Sequence, residues 1–230
     1  MKKGVLYGVS VGPGDPELLT RKALRVVGQC PVVAAPRTLG GEMLALDILR
    51  RAMPVDDKTI LPLTFTMARE EQVREEAHAR AADLLIHHLG EGRDVALLNL
   101  GDVSIYSTFG HLMARIRNGG YQTEMIPGVP SFCAVAARLG LLLAEQETPL
   151  SIYAGSGDLT GIWNGPGTKV LMKSGKQLPA VLAQLEEQGR LEKSAMVCNC
   201  GLPNERVITD LRGRIPEEIA GYFTTILVKE

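Results

Sequence analysis

The sequence predicts an α/β protein made of two α/β subdomains with a ligand cleft between them. Three observations lead there. Over the first ~125 residues, short apolar runs alternate with helix-like segments, the order expected of a mainly parallel sheet covered on both faces. From about residue 130 onward strands outnumber helices, which points to a second, mixed sheet with antiparallel pairing. No repeat or low-complexity linker separates the halves, and their join falls near Pro127-Gly128, giving domains of residues 1–127 and 128–230. The crevice between two such halves is the default place for a small ligand.

The elements follow in order. GVLYGVSV (4–11) reads as a buried strand, and PELLTRKALRVV (16–27) spaces Leu18, Leu19, Leu24, Val26 and Val27 as on a helix. Asp15 offers an N-cap acceptor and Pro16 suits the first helical position. CPVVAAPR (30–37) is a second strand and GEMLALDILRRAM (41–53) a helix. TILPLTF (59–65) is a short apolar segment, followed by a long helix over 69–92. On that helix Glu71, Glu75, Arg74 and Arg80 read as a solvated face with local charge pairs. DVALLNL (94–100) is an apolar strand, HLMARIRNGG (111–120) a helix stopped by Gly119-Gly120, and YQTEMIPG (121–128) another strand. In the second half SFCAVAARLGLLLA (131–144) is a small-residue helix. LSIYAG, TKVLMK, SAMVCNC, RVITDL and YFTTILVKE read as five strands, with helices over 177–189 and near 215–220.

Composition narrows the function classes. Hydrophobic residues make up 45% of the 230, ample for a packed core. No apolar run approaches the ~20 residues that span a bilayer, so no membrane partner is expected. The opening MKKGVLYGVSVGPGDP reads as a first strand rather than a signal peptide. With 25 basic and 26 acidic residues interspersed along the chain, nucleic acid is not an expected partner either. Cys30, Cys133, Cys198 and Cys200 read as reduced thiols of a cytoplasmic protein. Cys198-Asn199-Cys200 lacks zinc-knuckle spacing, His87 and His88 diverge on a helix, and His78 and His111 have no evident partner, so no metal is expected.

Three strand-to-loop joints stand out. GVSVGPGDPELLT (8–20) places glycines, prolines and an acid between a strand and a helix. It lacks the lysine of a phosphate-binding loop, and Glu17 breaks the dinucleotide G-x-G-x-x-G pattern. The second strand ends in Pro36-Arg37 rather than the acid that holds a ribose. The plainer alternative is a tight turn before a well-capped helix. LNLGDVSIYST (98–108) sets Gly101 and Asp102 just past an apolar strand. There the acid is either a ligand contact or an N-cap or Asx-turn residue. IPGVPSFCA (126–134) repeats the pattern, with Ser131 either at a ligand or capping a helix. In a parallel sheet all three open on one edge, the edge at which open α/β sheets bind ligands. No Gly-x-Ser-x-Gly elbow, zinc spacing or Cys/His pair is present. The site is built to hold reactants rather than attack them, and methyl transfer from a sulfonium suits that, because the work is mainly alignment.

Five motifs in order then resemble one family. The opening GVSVGPGDPELLT, the loop Gly101-Asp102-Val103 with IYST following, PGVPSF (127–132), LMK (171–173) and CGLPNERV (200–207) are similar to those of the tetrapyrrole methylases of corrin and sirohaem biosynthesis, a family that includes diphthine synthase. The resemblance covers nearly the whole chain. Two positions depart from it: Ser10 stands where the pattern has glycine, and Val103 where it has proline. The resemblance implies a two-domain methyltransferase, usually a homodimer, with S-adenosylmethionine in the cleft and S-adenosylhomocysteine as product. Carried over by position, the donor would meet Pro13, Leu100, Gly101, Asp102, Ile105, Ser131 and Phe132, with Met172, Cys200, Gly201, Thr224 and Thr225 completing the pocket. GDVSIYSTFGHL, LPLTFTM (61–67) and CGLPNERV look most like the branch that methylates C20 of precorrin-2 or cobalt-factor II. Alternatives are another corrin-ring methylase, diphthine synthase, or a non-catalytic regulator that binds a small molecule. Asp102 and Tyr106 are the catalytic candidates. Arg37, at the end of the second strand, is the candidate contact for an acidic tetrapyrrole, or else a surface arginine.

Overall fold

A computed structural model describes residues 2–66, 68, 70–213, 215 and 223–230. The chain divides into two compact units, Met1–Pro130 and Ser131–Glu230.

The first unit runs β1 (Val5–Ser10), α1 (Arg21–Gln29), β2 (Val32–Arg37), α2 (Leu44–Ala52), β3 (Thr59–Thr64), α3 (Glu71–Gly90), β4 (Val95–Asn99), α4 (Phe109–Asn118) and β5 (Gln122–Ile126). Its sheet has the order β3-β2-β4-β1-β5, and every pair is parallel. Helices α3 and α4 cover Leu6, Val32, Ala34, Leu63, Val95 and Leu97. The alternate residues Val33, Ala35, Ala96 and Leu98 are buried as well, on the other face by the two-residue period of a strand. There α1 and α2 pack against β1, β2 and β4. Only Ile126 of β5 is buried, because that strand has a partner on one side alone.

The helix expected to run on from Pro16 is in fact two pieces. Asp15 caps a short 3-10 turn, Pro16–Leu18, accepting from the Glu17 N–H at 2.9 Å. Leu19 and Thr20 are extended, and the Thr20 hydroxyl starts α1 afresh by accepting from the Ala23 N–H at 3.1 Å. A threonine hydroxyl offers the backbone this competing partner, so the helix restarts instead of continuing.

The long helix differs from its sequence reading in one respect. Arg80 pairs with Glu76 on its own helix, but Glu75 reaches across to Arg115 of α4. His78 and His111, partnerless in the sequence, stack with ring centroids 4.7 Å apart.

The second unit contains α5 (Ser131–Leu139), β6 (Leu150–Ala154), β7 (Thr168–Met172), α6 (Leu178–Glu187), β8 (Ser194–Cys198), β9 (Arg206–Ile208) and β10 (Thr224–Val228). Its sheet is mixed, in the order β6-β7-β10-β8-β9, with only β6 and β7 parallel. All five expected strands are present. Helix α5 is shorter than its apolar run, ending ahead of Gly140 at φ +67°. The helix expected near 215–220 lies outside the described residues. Among the described residues, no helix is long and apolar enough to cross a membrane.

One packing constraint in the first unit is open to direct test. Gly8 sits mid-strand between Leu97 and Met125. A Cβ there would come within 2.6 Å of the Phe109 ring, which is itself fully buried. Gly8→Ala is expected to destabilise the protein by ~1–3 kcal/mol, the usual cost of overpacking a closed core. Denaturant unfolding measures it, and an unchanged midpoint would mean that Phe109 is not seated as described.

Candidate functional site

Because the first sheet is wholly parallel, Ser10, Arg37, Thr64, Asn99 and Ile126 end their strands at the same edge. The loops that leave β1 and β4 are joined there by main-chain bonds. The Gly101 N–H donates to the Gly12 carbonyl at 2.7 Å, and the Gly12 N–H to the Gly101 carbonyl at 3.3 Å. Both glycines have positive φ, +74° and +71° respectively for Gly12 and Gly101, a conformation costly for other residues. Pro13 and Leu100, two of the candidate donor contacts, flank this bridge.

Asp102 is engaged on both carboxylate oxygens. Oδ1 accepts from the Ser104 N–H at 2.8 Å and from the Ser104 hydroxyl. Oδ2 accepts from the Gly128 N–H at 2.8 Å. Partial burial pushes its pKa up, but the bonds from Gly128 and Ser104 outweigh that and hold it below the usual carboxylate range. The group is an ionised clasp between the loops after β4 and β5. The Asx turn to Ser104 was among the sequence alternatives; the bond to Gly128 was not.

Ser10 is a functional-edge residue that sequence reasoning noted only as a departure. It is fully buried. Its hydroxyl donates to the Ile126 carbonyl at 2.8 Å and accepts from the Val103 N–H at 2.9 Å. One hydroxyl therefore ties the ends of β1 and β5 to the loop after β4. The two departures from the family pattern meet in this bond. A proline at 103 has no N–H to give, and a glycine at 10 has no hydroxyl to receive it. The contact also fixes Gly128, since a Cβ there would lie 2.4 Å from the Ser10 Cβ.

The far end of the 101–108 loop is held from β4. Buried Asn99 donates to the Leu97 carbonyl at 2.9 Å and accepts from the Ser107 hydroxyl at 2.6 Å. Ser107 in turn accepts from the Phe109 N–H at 3.0 Å, at the start of α4. Between these anchors Tyr106 takes φ +48° with its side chain exposed, and Ile105 is half-buried. A left-handed tyrosine costs on the order of 1–3 kcal/mol, and such strain persists only where the surroundings impose it.

The second unit gathers several of its candidates by strand register. Thr225 of β10 stands opposite Met172 at the end of β7, and the Ser131 hydroxyl lies 3.3 Å from the Thr225 hydroxyl. Phe132, Met172, Cys200, Thr224 and Thr225 are buried. Thr224 stands opposite Cys198 and donates to its sulfur at 3.3 Å. The Gly201 N–H donates to Glu205 at 2.9 Å. Lys173 and Asn199, each directly after a strand, repeat the positive φ of Tyr106 at +58° and +52°. Arg37 is exposed, and its guanidinium donates at 3.2 Å to Thr64 of β3, on the side of β2 away from β4 and Asp102.

Two sets of variants test the clasp. Asp102→Ala is expected to lower stability by ~1–3 kcal/mol at neutral pH, by stranding the Gly128 and Ser104 donors. The folded pKa lies below the unfolded one, so this contribution is complete above the unfolded value near ~3.9 and fades as pH falls through the folded value. Melting curves of both proteins should therefore converge in acid. Ser10→Gly and Val103→Pro should each destabilise alone, and the double variant should lose less than the sum of the two. Chemical unfolding of all four proteins gives the coupling, and strict additivity would mean that the bond carries no energy.

Comparison with known proteins agrees with the motifs and the two-sheet architecture. Residues 5–216 match the family model of the tetrapyrrole (corrin/porphyrin) methylases. The cobalt-precorrin-2 C(20)-methyltransferase of Salmonella typhimurium is 31% identical over 231 residues, 99% of this chain and 97% of that relative. The precorrin-2 C(20)-methyltransferase of a Sinorhizobium species is 31% identical over 240 residues, 98% of this chain and 95% of the relative. Among solved structures, a cobalt precorrin-4 methyltransferase matches with a TM-score of 0.73 at 20% identity, covering 98% of this chain and 94% of that one. The uroporphyrin-III C-methyl transferase of Thermus thermophilus, complexed with S-adenosylhomocysteine, matches at 0.70 and 23% identity, covering 99% and 92%. At those identities the structures speak to the fold, while the family model spans nearly all of the sequence: this chain belongs to the tetrapyrrole methylases.

Proposed function

We propose that this protein transfers a methyl group from S-adenosylmethionine to C20 of precorrin-2, or of its cobalt-loaded counterpart cobalt-factor II, in cobalamin biosynthesis. The observation that carries this reading is the pair of relatives, each matched over nearly its whole length, that are named for methylation at C20.

The residues at the sheet edge fit a sulfonium donor. The Gly12–Gly101 bridge holds the loops after β1 and β4 side by side at this edge, and glycine at both positions lets a ligand come close to the main chain beside it. When bound, the donor supplies a methyl group already activated for transfer, so the chain's task is alignment. Asp102 suits that task better than proton removal, because its carboxylate is ionised and accepts three hydrogen bonds. We assign it a positioning role: it holds the Leu100-Gly101-Asp102 turn against the 127–128 turn. Tyr106, exposed on the strained turn of the same loop, is assigned to the acceptor side. In the second unit, the paired hydroxyls of Ser131 and Thr225 beside Met172 are assigned to the donor. Arg37, at the β2 end of the same edge, is assigned to the carboxylates of the acceptor. The working form is taken to be a cytoplasmic homodimer, as is usual in the family and consistent with four cysteines that form no disulfide.

The test uses S-adenosylmethionine labelled with ¹³C in its methyl group, with precorrin-2 and cobalt-factor II as separate acceptors under anaerobic conditions. The expected result is S-adenosylhomocysteine in step with tetrapyrrole consumed, with the label at C20. Label at another ring carbon would make the protein a corrin methylase of different regiochemistry. A shift in tetrapyrrole absorption without S-adenosylhomocysteine would make it a binding protein.

A further inference from the structure

Beside the carboxyl end of β3 and the start of α4, the first unit holds a cluster of metal-ligating side chains outside the residues assigned above to donor and acceptor. Glu75 and His78 lie one turn apart on α3, and His111 is in the first turn of α4. One ligand atom from each falls within 4.8 Å of the other two. His78 is 8% exposed, stacked on His111 at an interplanar angle of 11° and tilted against Phe65. Its Nδ1 is buried without a hydrogen-bond partner, and Oε1 of Glu75 stands 3.5 Å away. The other oxygen of Glu75 is held by the Arg115 guanidinium from α4.

We propose that Glu75, His78 and His111 form a binding site for a divalent transition ion of the zinc class, joining α3 to the start of α4. Two imidazoles and one carboxylate are a borderline nitrogen-oxygen set, suited to zinc, cobalt(II) or nickel(II) rather than magnesium or calcium. The buried Nδ1 has the Glu75 oxygen at 3.5 Å, too long for a good hydrogen bond, and a ring nitrogen shut away from water without a close partner is costly.

Ligands at ~2.0–2.2 Å from a shared ion lie closer together than the three atoms do here, so binding draws them inward. Glu75 and the exposed His111 supply that movement, His111 by turning out of its stack so that its in-plane nitrogen faces the ion, while buried His78 is the fixed anchor. Arg115 orients the carboxylate from behind, as outer-sphere partners do at metal centres. Its charge opposes a bare cation, and the carboxylate between the two offsets this. Helix α4 begins at the residue after the 101–108 loop, so an occupied site braces the end of that loop.

The experiment uses the full chain without an affinity tag, stripped with a chelator and dialysed. Zinc binding is followed by calorimetry, cobalt(II) binding by visible absorption, and melting is recorded with and without each ion. The expected result is one ion per chain, a cobalt spectrum free of thiolate charge-transfer bands, and a raised melting temperature. His111→Ala and Glu75→Gln, neither at a buried position, should each weaken binding by at least about tenfold. Cys133→Ser, which removes the exposed thiol, should leave it unchanged. No saturable binding at tens of micromolar zinc would overturn the proposal. So would full affinity in both ligand variants, or loss of binding in Cys133→Ser.

Discussion

Parallel pairing of β1 with β4 on one side and β5 on the other is the constraint on which the first unit depends. In that register Gly8 lies level with Leu97 and Met125, and Ser10 with Asn99. The three strands therefore finish at one height, and the loops after them start side by side. A slip of one residue would turn every side chain of β1 to the opposite face. The Ser10 hydroxyl would then miss both Ile126 and Val103. The cross-links at the edge are a consequence of register before they are a matter of side-chain chemistry.

At that edge the polar side chains are employed in holding backbone in place. Asp102, Ser10, Asn99 and Ser107 each bond to main chain or to one another. Such a construction suits a reaction whose driving force resides in the donor, where rigid alignment contributes more than an attacking group. Both units share a further trait. Tyr106, Lys173 and Asn199 adopt left-handed backbone within loops that leave the carboxyl ends of strands. Strain gathered there fits loops whose shape is set by the surrounding contacts rather than by local preference.

Much of this was legible in the sequence. Apolar runs located every strand, and their alternation with helices in the first half gave a parallel sheet. The loop motifs marked the edge, and their order pointed to the family. What escaped was non-local. The Ser10 hydroxyl finds partners 116 and 93 residues away, and no window of sequence carries such a contact. Asp102 showed its Asx turn, two residues long, but not its bond to Gly128, 26 residues on. His78 and His111 meet because two helices pack together on one face of the sheet, which ligand spacing along a chain does not encode. The break at Leu19-Thr20 was missed for a different reason. Periodicity is blind to a hydroxyl that restarts a helix in mid-run.

The bond between Ser10 and Val103 bears on how this edge can change over generations. Glycine with proline, and serine with an N–H donor, are two self-consistent solutions. A single step from the second toward the first leaves either the buried Val103 amide without its acceptor or the Ser10 hydroxyl with only the Ile126 carbonyl. The intermediate is handicapped whichever position moves first. Positions 10 and 103 are therefore coupled through one bond, and a change at either is to be judged together with the residue at the other.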